Sequence, residues 1–481
     1  MKAFLTIKEI KEKLEKKEIS ASELIDFYIN RSQKYNNKLN AILEIFDKNS
    51  LSFDNKNTNA LLNNIPGLLK DNICQKNRTT SCGSKILQNF KATYDATVTE
   101  RIKNQGGVII GRSNCDEFAM GGTGEFSAYG PTHNPWNLEH VPGGSSSGSA
   151  AAVAASLVPW ALGTETGGSI RGPASWCNLV GLYPTYGTHS RYGVVAFASS
   201  NDQVGPLTKT VYDNALISTV LSGHDPKDST SLLKEKTDFT KNLTGKLPEN
   251  LTLGVLQDAL ESDSVDPQIK EKFQDTIKIL EKLGAKIKYI NLPNLKYGIS
   301  VYFIISRAEA ASNLARFDGT LYGMRNKEAK NLHDMYTQTR HDGFGMEVKR
   351  RILTGNYVLS SSHRGDFYEK ADHVRSLIRA EFEQAYKQVD LIISPTTPTL
   401  PFKIGQTNQD PLAMYMADYF VVPNCITGTP ALSVPCGFSK ENLPIGFQFM
   451  GPRLSEEIIY QVAYAYEQNT EHHLKNPEGF E

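Results

Sequence analysis

Residues 163–175 read GTETGGSIRGPAS and place a serine, Ser169, directly behind two glycines. Glycine loses more conformational freedom on folding than any other residue, so two adjacent glycines indicate a backbone that another group approaches closely. The backbone N–H groups of Thr166, Gly167 and Gly168 can converge on one oxyanion in such a turn. The segment therefore predicts a nucleophilic serine beside an anion-binding loop, an arrangement suited to attack on a carbonyl.

The chemistry of Ser169 requires a base, because a serine hydroxyl is a weak nucleophile. The Gly- and Ser-rich stretch around it, residues 142–175, contains no histidine. Lys70 is a candidate base, because it follows the apolar run IPGLL and because burial lowers the pKa of a lysine from about 10.4 toward neutrality. On spacing alone, a solvent-exposed lysine at the end of a strand is the simpler interpretation of Lys70.

Other short motifs would support different chemistries. Residues 144–148 match G-x-S-x-G, which would make Ser146 the nucleophile of a hydrolase, and Ser231 with Lys234 matches S-x-x-K. The loop ahead of the Ala-rich helix is of a kind that often binds phosphate, yet it contains neither of the common nucleotide-binding patterns. Because Gly- and Ser-rich loops match short patterns by chance, these hypotheses remain alternatives to Ser169.

The composition is that of a globular protein with no strong charge bias. The 481 residues include 52 Lys and Arg and 52 Asp and Glu, and a chain whose main role was to hold nucleic acid would show a basic excess. The most apolar run, about 13 residues from Ala150, is too short to span a bilayer. We expect a cytoplasmic protein without a metal site, whose cysteines are reduced thiols. The cysteines are Cys74, Cys82, Cys115, Cys177, Cys425 and Cys436.

Helix and strand signals alternate along the chain. Ser20 and Glu23 form a capping box ahead of the second of two amphipathic helices. Later helical stretches stop at Gly106 and Gly284 and lead into apolar strands, and Ser455 is the predicted cap of the last helix. This alternation predicts an α/β fold with a large mixed β-sheet covered by helices on both faces.

We interpret residues 1–481 as one domain. Residues 225–250 are polar and rich in loop-forming residues, so residues 225–300 are a possible insertion or subdomain. Residues 121–205 are rich in Gly, Ser and Ala and poor in charge. Such a composition indicates either close backbone packing or a site built from backbone groups.

Three segments together resemble the amidase signature family, whose hallmark is a Gly/Ser-rich core with a Ser–Ser–Lys triad. They read PGLLKDNI around Lys70, PGGSSSGSAAAVAA around Ser145 and GTETGGSIRGPAS around Ser169, in the order typical of the family. Longer segments, among them residues 115–121, 180–206 and 410–437, resemble the A subunits of bacterial and organellar tRNA-dependent amidotransferases. The likeness covers nearly the whole chain and is weakest around residues 225–300.

The resemblance implies a role for each member of the triad. Ser169 would be the nucleophile that forms the acyl intermediate, Ser145 the bridging serine and Lys70 the base. In the family a cis peptide bond precedes the bridging serine, and here that bond would join Gly144 to Ser145. The backbone of Thr166 to Ser169 would form the oxyanion hole.

The resemblance also implies a substrate and partners. Tyr302, Arg351 and Asp418 match positions that hold the α-amino and α-carboxylate ends of glutamine, although the adjacent Arg350 remains an alternative to Arg351. Ammonia released from glutamine would pass to a partner B subunit, which uses ATP and Mg²⁺ to amidate misacylated tRNA(Gln), while a small C subunit wraps the contact. This chain itself would need no cofactor. The alternative is a stand-alone amidase that acts on another small amide.

The sequence departs from the family pattern at four positions outside the triad. Ser147 and Asn178 stand where glycine is common, Gly172 replaces a common glutamine and Tyr183 a common lysine. We expect these changes to affect the rate and the fine substrate preference more than the class of reaction.

Overall fold

The computed structural model describes residues 2–53, 60–408 and 410–481, and within them the chain forms an eleven-stranded sheet flanked by helices. The strands are β1 (Ile42–Ile45), β2 (Pro66–Lys70), β3 (Val108–Ser113), β4 (Trp160–Glu165), β5 (Val180–Tyr183), β6 (Gln203–Thr208), β7 (Thr252–Leu256), β8 (Lys286–Ile290), β9 (Leu391–Pro395), β10 (Ala431–Phe438) and β11 (Pro444–Met450). The helices are α1 (Ile7–Glu15), α2 (Ala21–Leu39), α3 (Thr97–Asn104), α4 (Ser147–Ala154), α5 (Arg171–Trp176), α6 (Val211–Leu221), α7 (Asp258–Glu261), α8 (Pro267–Lys282), α9 (Gly298–Asn313), α10 (Leu332–Gly343), α11 (Met346–Leu359), α12 (Lys370–Ala385), α13 (Pro411–Met416), α14 (Val422–Thr427) and α15 (Glu456–Glu467).

The sheet is mixed, and its strands lie in the order β1-β3-β2-β4-β6-β5-β10-β11-β9-β7-β8. Strand β2 runs parallel to both of its neighbours, β3 and β4, and β7 runs parallel to β8 and β9. The strands between these two parallel groups pair antiparallel. The predicted α/β fold with a large mixed sheet is therefore confirmed.

Most of the predicted local signals are present where the sequence placed them. Ser20 and Glu23 form the capping box of α2, and α3 is followed by Gly106 and then by β3. The prediction that the side chain of Ser455 caps the last helix was wrong. Ser455 precedes α15, but its hydroxyl donates to the carbonyl of Pro452 at 2.6 Å instead of accepting from the helix. The Ser455 hydroxyl thus forms a hydrogen bond within the preceding turn instead of capping the helix.

Two large apolar clusters form most of the core of the described residues. One includes residues of α8, α9, α11, α12, α15 and β7 to β11, and the other includes residues of α1 to α4 and β1 to β4. Helix α6 contributes to both clusters, with Val211 and Ala215 in the first and Leu216 and Ile217 in the second. Strands β7 and β8 extend the common sheet at one end. That residues 1–481 form one domain and 225–300 an insertion remains a prediction.

Small residues let α4 lie close to the sheet. Helix α4 packs against β2, β3, β4 and β6, and all of its residues are buried. A Cβ at Gly148 would lie 2.1 Å from the carbonyl oxygen of Ala41 and 2.5 Å from the amide nitrogen of Asn114. The glycine is therefore required by close backbone packing, one of the two explanations that the composition of residues 121–205 allowed.

Within the described ranges, no helix is both long and apolar enough to cross a bilayer. The six cysteines are free and buried. Burial raises the pKa of each of these thiols above its ordinary value. The thiols are therefore neutral, packed groups.

The β2–β4 contact generates a stability prediction. A Cβ at Gly67 of β2 would lie 2.1–2.3 Å from ring atoms of Trp160, which is fully buried on β4. We expect Gly67→Ala to destabilise the protein by about 1–3 kcal/mol, because the added Cβ would overlap a fully buried indole. Thermal unfolding followed by circular dichroism measures the change.

Gly172→Ala is the matched control for this substitution. A Cβ at Gly172 would meet no atom within 4 Å, and the residue lies in α5, where alanine is favoured over glycine by up to ~1 kcal/mol. Its melting temperature should equal or exceed that of the parent. Equal melting temperatures for Gly67→Ala and the parent would contradict the packing argument.

Candidate active site

Lys70 is a buried amine at the end of β2. Its side chain is fully enclosed, and Nζ lies 2.7 Å from Oγ of Ser145, 3.0 Å from Oγ of Ser146 and 3.2 Å from the carbonyl oxygen of Thr164. Strand β2 delivers the lysine to this point because it runs between β3 and β4, and both of its faces are covered. The simpler reading of the sequence, a lysine in solvent, is excluded by this burial.

The hydrogen bonds of Ser146 determine what the lysine can do. The Ser146 hydroxyl donates to the carbonyl of Thr164 at 3.1 Å and accepts from the amide of Thr164 at 3.2 Å, so its remaining lone pair accepts from Lys70. A neutral lysine has two N–H donors and one lone pair. If the donors bond to Ser146 and to the Thr164 carbonyl, the lone pair faces the hydroxyl of Ser145. Ser145 is thereby the hydroxyl from which Lys70 can remove a proton.

Burial lowers the pKa of Lys70 to about 8, because removal from water disfavours the ammonium form. The buried carboxyl groups of Asp116, Asp202 and Glu165 act in the opposite direction and keep the pKa from falling further. A lysine with this pKa is about one-tenth neutral at pH 7. It therefore supplies a base near neutral pH, as a general base requires.

Asp116 supports the backbone on which Ser145 stands. The Gly144–Ser145 peptide bond is cis, as the resemblance implied, and the Ser145 carbonyl accepts from the amide of Asp116 at 3.2 Å. The carboxylate of Asp116 accepts from the amides of Gly124 and Phe126 at 3.1 and 3.0 Å. A Cβ at Gly144 would lie 2.0 Å from Oδ2 of Asp116, so only glycine fits there. Burial raises the pKa of this carboxyl to about 6.

Ser169 lies in a tight turn between β4 and α5. Its carbonyl oxygen accepts from the amide of Ser146 at 3.2 Å, which fixes the turn beside the Ser145–Ser146 segment. Gly168 has φ +124°, a conformation that a side-chain-bearing residue rarely adopts. In the part of the chain that the structure describes, the amides of Gly167, Gly168 and Ser169 donate to no protein acceptor. Such a run of free N–H groups is suited to binding an oxyanion.

A buried ion pair closes this turn from both ends. Oε2 of Glu165 accepts from the amides of Ile170 and Arg171 at 2.9 Å each, while Oε1 accepts from Nε of Arg171 at 2.8 Å. Both side chains are fully buried. Because Glu165 ends β4 and Arg171 begins α5, their pairing fixes the path of the residues between them. The position of Ser169 therefore depends on this pair.

Arg171 also ties the turn to the distant C-terminal part of the chain. Its Nη1 donates to Oε1 of Gln448 at 2.6 Å, and its Nη2 donates to the carbonyl of Val421 at 2.6 Å. The guanidinium lies 5.3 Å from the ring centre of Tyr183. The Arg171 guanidinium is thus hydrogen-bonded to protein acceptors, as a buried arginine requires.

The four departures from the family pattern fit their surroundings. Tyr183 places an aromatic ring near Arg171, where a lysine would add a second cation. Asn178 adopts the left-handed conformation, with φ 58°, which asparagine tolerates. Ser147 starts α4 and exchanges a 3.1 Å hydrogen bond with Thr132, and the space beside Gly172 is open.

Two of the predicted substrate-binding residues lie directly against the glycine turn. A Cβ at Gly167 would lie 2.3 Å from Cζ of Tyr302, and a Cβ at Gly168 would lie 2.8 Å from Oδ1 of Asp418. The carboxyl of Asp418 forms no hydrogen bond with any residue that the structure describes. Burial, and then the charge of Glu165, raises its pKa well above its ordinary value. A bound ammonium group would restore the charged form of the carboxyl.

The third predicted substrate residue, Arg351, is held by a carboxylate on its own helix. Nε of Arg351 donates to Oε1 of Glu347 at 2.8 Å, and the same oxygen accepts from the hydroxyl of Tyr415 at 2.9 Å. The side chain of Arg351 is 5% exposed and that of Arg350 is 48% exposed. Of the two arginines, Arg351 is therefore the one inside the fold near Tyr302.

Sequence reasoning missed the residues that support the predicted ones. Glu347 precedes Arg351 by four residues. This spacing places two side chains on one face of a helix, so the pair could have been predicted. Asp116 and Glu165 gave no such signal, because most of their partners are backbone amides five to ten residues away in turns, at no regular helical or strand spacing. The S-x-x-K motif has a local role, since Oγ of Ser231 accepts from the amide of Asp225 at 2.9 Å.

Among the described residues, no group of histidine, cysteine, aspartate and glutamate side chains could hold a metal ion. What these residues form is a buried amine in contact with the hydroxyls of Ser145 and Ser146, and beside them a turn with free amides that carries Ser169. This set can activate a hydroxyl and stabilise an oxyanion, which is the chemistry of acyl transfer.

Comparison with known proteins agrees with this chemistry. Residues 23–459 match the family described as Amidase. The chain is 49% identical to the A subunit of the glutamyl-tRNA(Gln) amidotransferase of Halothermothrix orenii, a match over 98% of each chain. The corresponding protein of Halalkalibacterium halodurans is 47% identical over 98% of this chain and 99% of its own.

Solved structures give the same result for the fold. The A subunit of the glutamyl-tRNA(Gln) amidotransferase of Thermotoga maritima superimposes with a TM-score of 0.83 at 39% identity, covering 97% of this chain and 95% of its own. The native peptide amidase of Stenotrophomonas maltophilia superimposes with a TM-score of 0.82 at 27% identity, covering 100% of this chain and 99% of its own.

The buried pair of Glu165 and Arg171 generates a prediction. We expect Glu165→Ala to destabilise the protein by about 3–5 kcal/mol, because it leaves the Arg171 guanidinium buried without its carboxylate. Arg171→Met added to Glu165→Ala should recover part of this loss, since it removes the unpaired charge. Thermal unfolding of the two variants and the parent measures both effects. A double variant less stable than Glu165→Ala would contradict the argument.

Proposed function

The chain belongs to the amidase family, and we propose that it is the glutamine-hydrolysing subunit of a tRNA-dependent amidotransferase. The resemblance to the A subunits of these enzymes, drawn from the sequence, is confirmed by full-length relatives at 47–49% identity. The single observation that carries the catalytic proposal is the contact between Nζ of Lys70 and Oγ of Ser145, 2.7 Å long and fully buried. It supports the Lys70–Ser145 part of a Ser–Ser–Lys relay, and we propose that the relay ends at Ser169.

In this proposal Tyr302, Arg351 and Asp418 hold glutamine by its α-carbon substituents. Arg351 binds the carboxylate and Asp418 the ammonium group, so that a free amino acid is selected by charge-assisted hydrogen bonds at both ends. Because Tyr302 and Asp418 lie against Gly167 and Gly168, glutamine held there directs its side-chain amide to the turn that carries Ser169.

Acylation begins when neutral Lys70 takes the proton of Ser145, which takes the proton of Ser169. Oγ of Ser169 then attacks the side-chain carbonyl carbon of glutamine. The free amides of Gly167, Gly168 and Ser169, with that of Thr166 at the start of the turn, stabilise the oxyanion, and each donor contributes on the order of 3 kcal/mol. The relay returns the proton to the departing nitrogen, and ammonia leaves.

Deacylation uses the same groups in the same order. Water takes the place of ammonia and loses a proton to the Ser145–Lys70 relay as it attacks the glutamyl ester on Ser169. The tetrahedral intermediate again places its oxyanion in the glycine turn, and collapse releases glutamate with the Ser169 hydroxyl restored. The chain itself requires no cofactor for either step.

The proposal extends to the partners of the chain. Ammonia passes through a channel to a B subunit, which binds ATP and Mg²⁺ and amidates misacylated tRNA(Gln), and a small C subunit completes a cytoplasmic heterotrimer. The zero net charge of this chain supports such a division, since it leaves most tRNA contacts to another protein of the complex. If the chain is a stand-alone amidase instead, adding the B and C subunits with misacylated tRNA will leave its rate of ammonia release unchanged.

We expect a covalent adduct on Ser169 when the protein is quenched during turnover with a γ-glutamyl hydroxamate or a slow glutamine analogue. Peptide mass spectrometry identifies the modified residue. Ser169→Ala should abolish both the adduct and the release of ammonia from glutamine, because it removes the hydroxyl that the turn itself carries. Ser231→Ala, which removes the serine of the S-x-x-K motif, is the matched control and should retain an adduct on Ser169. Label on Ser146 in the parent protein would refute the proposed mechanism.

The rate should rise with pH as Lys70 loses its proton. Since burial lowers the lysine pKa to about 8 and the neutral amine is the active form, kcat/KM for glutamine should increase about tenfold per pH unit below pH 8 and level off above it. Ammonia release measured from pH 6 to pH 9.5 gives the profile. Lys70→Arg should be inactive throughout, because a guanidinium stays protonated. A flat profile between pH 6 and pH 8 would contradict the role of Lys70.

A further inference from the structure

Arg307 is a buried guanidinium without a protein acceptor. It lies on α9, five residues after Tyr302, and is 4% exposed. Its Nε and Nη1 atoms are buried and no residue in the described ranges accepts a hydrogen bond from them. Nη2 likewise forms no hydrogen bond to a described residue. Buried polar groups are otherwise almost always paired, so this arginine calls for an explanation.

The surroundings of Arg307 are those of the predicted substrate carboxylate site. Its guanidinium lies 5.2 Å from the ring centre of Tyr415, and that of Arg351 lies 5.9 Å from the same ring. It also stacks on Phe303, which packs edge-on against Tyr415. Its positive charge acts on the hydroxyl of Tyr302. Arg307 and Arg351 thus both lie near the ring of Tyr415, and the charges of both act on Tyr302, a residue proposed to bind glutamine.

The buried charges in this cluster do not balance. Glu347 is the carboxylate whose charge acts on both Arg307 and Arg351, and it already accepts from Arg350, from Arg351 and from the hydroxyl of Tyr415. Burial, followed by the charge of Arg351, lowers the pKa of Arg307 to about 10, so it is still a cation at neutral pH. Two buried guanidinium groups against one carboxylate leave an excess positive charge, which an anionic ligand would neutralise.

We propose that Arg307 is a second guanidinium of the subsite that binds the α-carboxylate of the substrate, acting together with Arg351. The inference rests on the proposed function and adds to it a determinant of specificity for substrates with a free carboxylate. Arg351 uses Nε to bond Glu347, whereas Arg307 has all of its donors available. A carboxylate offers about four acceptor sites and can therefore bond to both arginines at once.

Steady-state ammonia release by the full chain tests the proposal with two substrates, L-glutamine and its α-methyl ester, which lacks the carboxylate. We expect Arg307→Met to lower kcat/KM for glutamine about ten- to a hundredfold, the cost of one to two charge-assisted hydrogen bonds, and to change kcat/KM for the ester less than about twofold. Arg307→Lys, which keeps the charge without the forked donors, should give an intermediate loss. Arg316→Met removes an exposed cation just after α9 and is the matched control, with no change for either substrate.

Thermal unfolding separates binding from a structural role. Because no protein group depends on the Arg307 donors, Arg307→Met should melt at or above the temperature of the parent. A lower melting temperature, failure to fold, or equal losses for both substrates would overturn the proposal, as would an unchanged kcat/KM for glutamine. If the parent releases no ammonia from glutamine, the proposed function fails and this inference with it.

Discussion

Removal of one amine from water is the constraint on which the site depends. In solvent, Lys70 would be an ordinary protonated lysine, unable to accept a proton at neutral pH. At the end of β2 it is enclosed by the neighbouring strands and by α4. The Thr164 carbonyl and the hydroxyl of Ser146 take its two N–H donors and leave one lone pair for Ser145. Burial and these contacts together favour the neutral amine over the ammonium form and support the proposal that Lys70 is a base.

Close approach of backbones makes that enclosure possible, and it explains the composition of residues 121–205. Glycine, serine and alanine allow α4 to lie on the sheet and allow Asp116 to reach the Gly144–Ser145 bond. The same rule applies on the other side of the turn, where Tyr302 and Asp418 lie against Gly167 and Gly168 at positions that only glycine can occupy. A single requirement, the exclusion of side-chain bulk, thus serves both the catalytic group and the proposed ligand.

Whether the sequence could predict a feature of the fold or the site depends on how far apart in the sequence its interacting residues lie. The α/β class, the helix boundaries at glycine and the capping box of α2 depend on neighbours in the sequence, and they were predicted from it. Ser169 and its glycines were recognised as a backbone site for the same reason. The burial of Lys70 could not be read from spacing, because it depends on β4 and α4, whose positions follow from the strand order. Glu165 was missed because its partners include backbone amides, and Arg307 because its distinguishing property is the absence of an acceptor in the described fold.

Because Arg171 binds residues much later in the chain, the turn that carries Ser169 can be completed only late in biosynthesis. The guanidinium that closes the Ser169 turn needs Val421 and Gln448, which the ribosome adds 250 and 277 residues later. Strand β5 likewise waits for β10 as its sheet neighbour. A nascent polypeptide that has passed residue 175 therefore carries Lys70, Ser145, Glu165 and Ser169 but lacks the two later acceptors of Arg171. The turn that carries Ser169 therefore reaches its full set of hydrogen bonds only after β11 has been synthesised.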